Sequence, residues 1–175
     1  MCSLETFKID LKALNCEETV FEFKLNDGFF RAIAAPDVSH GCLHTTLTVR
    51  KVSTFFELYF HTEGKILIPC DLCLDDMELA IHTDNRLVAK FGEEYSEDDD
   101  LVTLAEEEGI LDVSWFIYEF IVLDIPIKHV HEPGKCNSAM IETLEALSAT
   151  RSSEENGEDS VDPRWGKLKE LKFKY

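Results

Sequence analysis

Basic charge is scarce in this sequence. Its 175 residues include 17 Lys and Arg against 35 Asp and Glu, a formal net charge of −18. So acidic a surface repels phosphate backbones, because non-specific nucleic-acid binding rests on Lys and Arg neutralising phosphates. Any nucleic-acid role therefore needs a local basic segment or a basic protein partner. Long apolar runs are missing as well. The longest, Trp115 to Leu123, is interrupted by Glu119 and bounded by Asp112 and Asp124, well short of the ~20 residues that cross a bilayer. Met1 to Lys12 has no basic stretch followed by an apolar one, so no targeting segment is expected. The chain reads as cytoplasmic, with no membrane partner. Catalytic signatures are absent too: there is no Ser-His-Asp pattern, nucleophile elbow, glycine-rich phosphate loop, HExxH or paired acid. A non-enzymatic protein is expected.

What remains is enough for a core. Hydrophobic residues make up 45%, with twelve Phe and two Trp, which excludes a wholly disordered chain. The length suits one domain plus tails.

Phe7, Ile9 and Leu11 alternate with Lys8, Asp10 and Lys12, the period of a half-buried strand. Val20 to Leu25 predicts a second strand, ended by a turn at Asn26-Asp27-Gly28. From Cys42 to about Phe91 the alternation predicts an antiparallel meander, with Thr62-Glu63-Gly64-Lys65 as a tight turn inside it. The acidic stretch Glu93 to Asp100 reads as a mobile surface loop. A short strand, Leu101 to Leu104, and an acidic turn at Glu106 to Gly109 follow. Asp112 is placed to cap the most apolar helix, Val113 to Leu123, which stops before Pro126 and is expected to pack across the sheet. A weaker helix is predicted over Ala139 to Leu147.

The expected fold is α+β over residues 1–147, an antiparallel sheet packed by a central apolar helix. Residues 148–161 are mostly Ser, Glu, Asn, Gly and Asp with hardly any apolar content, and read as a disordered acidic linker. Residues 162–175 form the one clearly positive piece. Pro163 follows an Asp cap, and Arg164, Lys167, Lys169, Lys172 and Lys174 face a single Glu170, so a short basic helix is expected. Its cations suit phosphates, and Trp165 suits base stacking; these are the candidate RNA contacts. The alternative for this helix is docking on the body through Trp165, Leu168 and Leu171.

The strongest chemical signal is Cys70-x-x-Cys73 with His131-x4-Cys136. Two thiolates two residues apart suit one tetrahedral ion, and a second short loop can complete a closed structural Cys3His zinc site. Pro133-Gly134 supplies the turn in that second loop. His129 is a rival ligand. A thiol redox pair at Cys70 and Cys73, or small core cysteines with a loop histidine, are the other readings of the same residues. Cys2, Cys16 and Cys42 have no partner at ligand spacing, and His40 and His44 read as surface residues. Glu119 is expected to face solvent or pair with a basic group.

Three pieces, in this order, resemble the YceD family of bacterial and plastid proteins. They are Ile68-Pro69-Cys70-Asp71-Leu72-Cys73-Leu74; then Ile110 to Val113, the helix with Glu119, Leu123-Asp124-Ile125-Pro126 and His131 to Cys136; then Asp162-Pro163-Arg164-Trp165 with Leu168 and Leu171. The resemblance covers the last two thirds of the chain. It implies a role in accumulation of large-subunit ribosomal RNA, hence ribosome biogenesis, with no enzymatic activity. The implied partners are a ribosomal protein or pre-large-subunit particle, and rRNA through the tail. The chain departs from the family in one place: Asp71 and Leu72 fill the gap where a basic residue often stands between the cysteines. The family's cysteine pattern is also not universal, so the resemblance carries no metal with it. The rival functions are a zinc-stabilised interaction module unrelated to ribosomes and a CxxC oxidoreductase.

Overall fold

The computed structural model describes residues 4–98 and 100–148. Its order is a 3-10 turn (Leu4–Phe7), β1 (Lys8–Asp10), β2 (Glu18–Leu25), α1 (Asp27–Ala32), β3 (His40–Val52), β4 (Phe55–Pro69), β5 (Asp76–Gly92), β6 (Ser96–Asp98), β7 (Leu101–Ala105), β8 (Ile110–Asp112), α2 (Ser114–Asp124) and α3 (Ser138–Leu147). Strands β2-β3-β4-β5-β7-β6 form one six-stranded sheet, and β1 pairs with β8 in a separate small ladder. The α+β architecture follows the sequence pattern.

Alternation decides the faces. Along β4, Phe56, Leu58, Phe60, Ile66 and Ile68 are buried, while Tyr59, Glu63, Lys65 and Leu67 point to solvent. The buried face is covered by Phe29 and Phe30 of α1, by Phe116, Ile117 and Ile121 of α2, and by Phe7, Ile9 and Leu111. Phe7 stacks on Phe23 at 4.9 Å, and Phe60 meets Phe120 edge-on at 5.2 Å. The buried hydroxyls of Thr45 and Thr62, register partners, satisfy each other at 2.9 Å.

Several local expectations are corrected. Asn26 does not end β2 in a turn; its side chain accepts from the backbone N–H of Gly28 (2.8 Å) and Phe29 (3.3 Å), so it caps α1. Thr62 to Lys65 is not a turn either, since β4 runs straight through it. Gly64 sits in the strand at φ 146°, where a Cβ would lie 2.4 Å from the Cys42 carbonyl oxygen. Glycine is needed there for close approach between strands. The acidic stretch is not all loop: Ser96–Asp98 forms the exposed edge strand β6. Strand β7 runs parallel to β5, so the sheet is mixed rather than purely antiparallel. Helix α2 begins at Ser114, one residue after the expected start, with the Asp112 carboxylate accepting from both N–H (2.9 Å) and Oγ (2.6 Å) of Ser114. It packs on the sheet as expected, although Trp115 and Leu123 on its outer side are exposed. No residue of α3 is buried. Apart from Ser148, the expected linker and basic segment lie outside the described residues.

Candidate metal centre

Between β4 and β5 the chain reverses over Cys70 to Asp75. The Cys70 N–H donates to the Asp75 carbonyl and the Leu74 N–H to the Cys70 carbonyl, both at 2.9 Å. Leu74 takes the left-handed region, φ 62°, to close the reversal. This places Cys70 and Cys73 together, both buried. The Leu72 N–H points at Cys70 Sγ, 3.4 Å away.

The second half comes from the loop after α2. Lys135 N–H donates to the Glu132 carbonyl at 2.9 Å, and Gly134, at φ 83°, provides the left-handed turn. His131 and Cys136 thereby face the two buried thiols. The Sγ atoms of Cys70 and Cys136 are 3.9 Å apart. His131 Nδ1 lies 3.4 Å from Cys73 Sγ and 3.9 Å from Cys136 Sγ. All four ligand atoms fall within 4.8 Å of one another. Zinc–sulfur bonds of about 2.3 Å at tetrahedral angles put two sulfurs about 3.8 Å apart, so the spacings fit the edges of one such tetrahedron. The four residues named from spacing meet at a single point that can hold a metal ion.

The rival ligand is placed elsewhere. His129 N–H donates to Asp71 Oδ2 at 2.7 Å, its Nδ1 lies 3.1 Å from the Pro126 carbonyl, and its Nε2 is 3.5 Å from Asp71 Oδ1. In return, the Asp71 N–H donates to the His129 carbonyl at 3.0 Å. Asp71 thus stitches the two loops together. Asn137 adds a second stitch, donating to Asp75 Oδ2 (3.1 Å) while its Oδ1 accepts from the first turn of α3. Sequence reasoning named His129 only as a ligand and missed Asp71 and Asn137 as parts of the site. The position of Asn137, between a ligand and a helix, was the one available sign.

The electrostatics suit a metal. Burial disfavours ionising Cys70, yet the backbone N–H groups of Cys73, Leu72 and His131 outweigh it and bring the thiol to about 6. Burial, reinforced by the neighbouring Cys70 and Cys73 thiols, pushes Cys136 up to about 11. A divalent ion would displace that proton and hold all three sulfurs as thiolates. A redox pair needs an accessible attacking thiolate; Cys70 is 0% and Cys73 2% exposed, which counts against that reading.

The family model described as "Large ribosomal RNA subunit accumulation protein YceD" matches residues 58–172. The chain belongs to the YceD family. The match begins within β4, takes in both halves of the thiol-histidine cluster, and extends into the basic segment. The family's description ties this YceD chain to accumulation of the large ribosomal RNA. Comparison with curated proteins and with solved structures gave no match. Among the described residues, no helix is long and apolar enough to cross a membrane. The candidate RNA contacts Arg164, Trp165, Lys167, Lys169 and Lys172 lie outside the described residues.

Proposed function

We propose that the chain is a non-catalytic accessory factor for large-subunit ribosomal RNA accumulation, acting in ribosome assembly by holding a basic ribosomal protein and contacting rRNA. The family match carries this reading. Two features support the division of labour. On the body, an open groove of about 630 Å³ is lined by Asp37, Glu97, Asp98, Asp100 and Glu119 around Trp115 and Leu123. An apolar floor with an acidic rim suits a basic protein, since opposite charge raises the association rate and selects the partner. In the sequence, the cations of residues 162–175 supply the phosphate-binding charge that the acidic body lacks.

In this reading the Cys3His cluster holds structural zinc. Closed four-ligand coordination leaves no position for a reacting water. The ion's role is to tie the β4–β5 reversal to the loop that follows α2, fixing the sheet's end against the helical face. Sedimentation of a lysate containing the tagged protein through a sucrose gradient, at low and moderate salt, tests the function. Co-migration with large-subunit precursors that weakens as salt rises is expected. A protein that stays at the top of both gradients would rule out stable particle binding and favour an interaction module unrelated to ribosomes.

A further inference from the structure

The outward face of the sheet carries a second group of ligand-type side chains, away from the thiol centre. Buried Thr62 and Ile81 face the core, so the neighbouring His61 and Glu63 of β4 and His82 of β5 lie on the opposite face. Glu63 and His82 are direct register partners, as are His61 and Asp84. The His61 and His82 rings meet edge to face at 5.2 Å. One ligand atom from each of His61, Glu63 and His82 falls within 4.8 Å of the other two.

The charges around this group are distributed unevenly. On the same face Glu57 pairs with Arg86 and Glu78 with Lys65. Asp84 binds His61 Nδ1 at 2.7 Å. Glu63 has neither an ion pair nor a hydrogen bond among the described residues, although two imidazoles stand next to it. The Asp84 bond engages one ring nitrogen of His61 and leaves Nε2 for another partner. Carboxylate, imidazole and metal in series is a recurring way to orient a histidine ligand and raise its basicity.

We propose that His61, Glu63 and His82 form a second, solvent-accessible site for a first-row divalent transition ion, with Asp84 as the positioning residue for His61. Two imidazoles and one carboxylate favour ions such as zinc or nickel over calcium or magnesium, which prefer all-oxygen surroundings. Three protein ligands leave a coordination position open to solvent. Because the ligands project from adjacent, paired strands, their spacing is set by the sheet and not by the ion.

Calorimetric titration of nickel chloride into the full chain, preloaded with zinc at the thiol centre, tests this. One additional ion bound at micromolar free nickel is expected. His61→Ala with His82→Ala should weaken it at least ~10-fold, and Asp84→Asn several-fold, in line with the effect of outer-shell partners. His40→Ala, a histidine outside the group, should leave it unchanged, and the double variant should melt with the wild type. Absence of the second ion in the wild type overturns the proposal. So does equal affinity in the double variant, or an equal loss in the His40 variant.

Discussion

In the thiol centre, four ligand-type side chains come from two loops; on the histidine face, three come from neighbouring strands. Cys70 and Cys73 are buried, and the backbone around them bends through left-handed Leu74 to bring them together. The histidine face is exposed, and a continuous β4–β5 ladder, registered from Phe55↔Lys90 to Pro69↔Asp76, fixes its spacing. An ion in the first place would hold the structure, whereas an ion in the second would be held by it. Stability and metal binding should therefore be coupled at one site and separable at the other.

The largest effect tests that coupling. Cys70→Ser removes a ligand and leaves a hydroxyl in a buried thiol pocket. A loss of about 4 kcal/mol is expected, because losing a metal is among the few mechanisms that reach that size. For a chain of this length that is roughly a 10 °C fall in melting temperature, measurable by circular dichroism. Gly64→Ala asks whether the strand scaffold is as rigid as the histidine face requires. The new Cβ would meet Cys42 and Leu43 backbone at 2.4 and 2.6 Å from a φ of 146°, so a loss of roughly 1–3 kcal/mol in denaturant unfolding is expected. Asp71→Ala cuts the stitch between the two loops. It should cost about 1–2 kcal/mol and weaken zinc retention against a competing chelator about 10-fold. At the other extreme, His61→Ala with His82→Ala should change stability by no more than about 0.5 kcal/mol, as for exposed positions.

The two sites also differ in how far the sequence announced them. The thiol centre was legible because thiols and histidine are few and their spacing is itself chemistry: Cys70, Cys73, His131 and Cys136 were named without a fold. The histidine face was not, since His61 and His82 come together only through the β4–β5 register, which no local pattern fixes. Strand faces could be read because side chains alternate strictly. Gly64 was misread because glycine signals a turn and a tight interstrand approach alike. Asn26 was misread for a related reason: the same side chain can end a strand in a turn or cap a helix. The parallel placement of β7 depends on a return through the edge strand β6, and composition carries no trace of it. Asp71 looked like a mere departure from a family pattern until His129 was seen beside it.

The metal-free thiol centre has its own pH signature. Cys70 is lowered from 9.0 to about 6, so its ionised form contributes stability that is fully present above about 9 and lost as pH falls through about 6. Cys136 is raised from 9.0 to about 11, so its neutral form contributes stability that is lost as pH rises through about 11. Between them, the chelated protein should gain melting temperature from pH 6 to 9, and the metal-loaded protein, whose three sulfurs all stay ionised when folded, should gain more over that range.

The most direct measurement is native mass spectrometry of the metal-replete chain after exhaustive dialysis, paired with thermal melting before and after chelation. One retained zinc, absent in Cys70→Ser, and a clear drop in melting temperature when it is stripped are the expected results. A chain that keeps no zinc and melts identically with and without chelator would contradict a structural metal at the thiol centre.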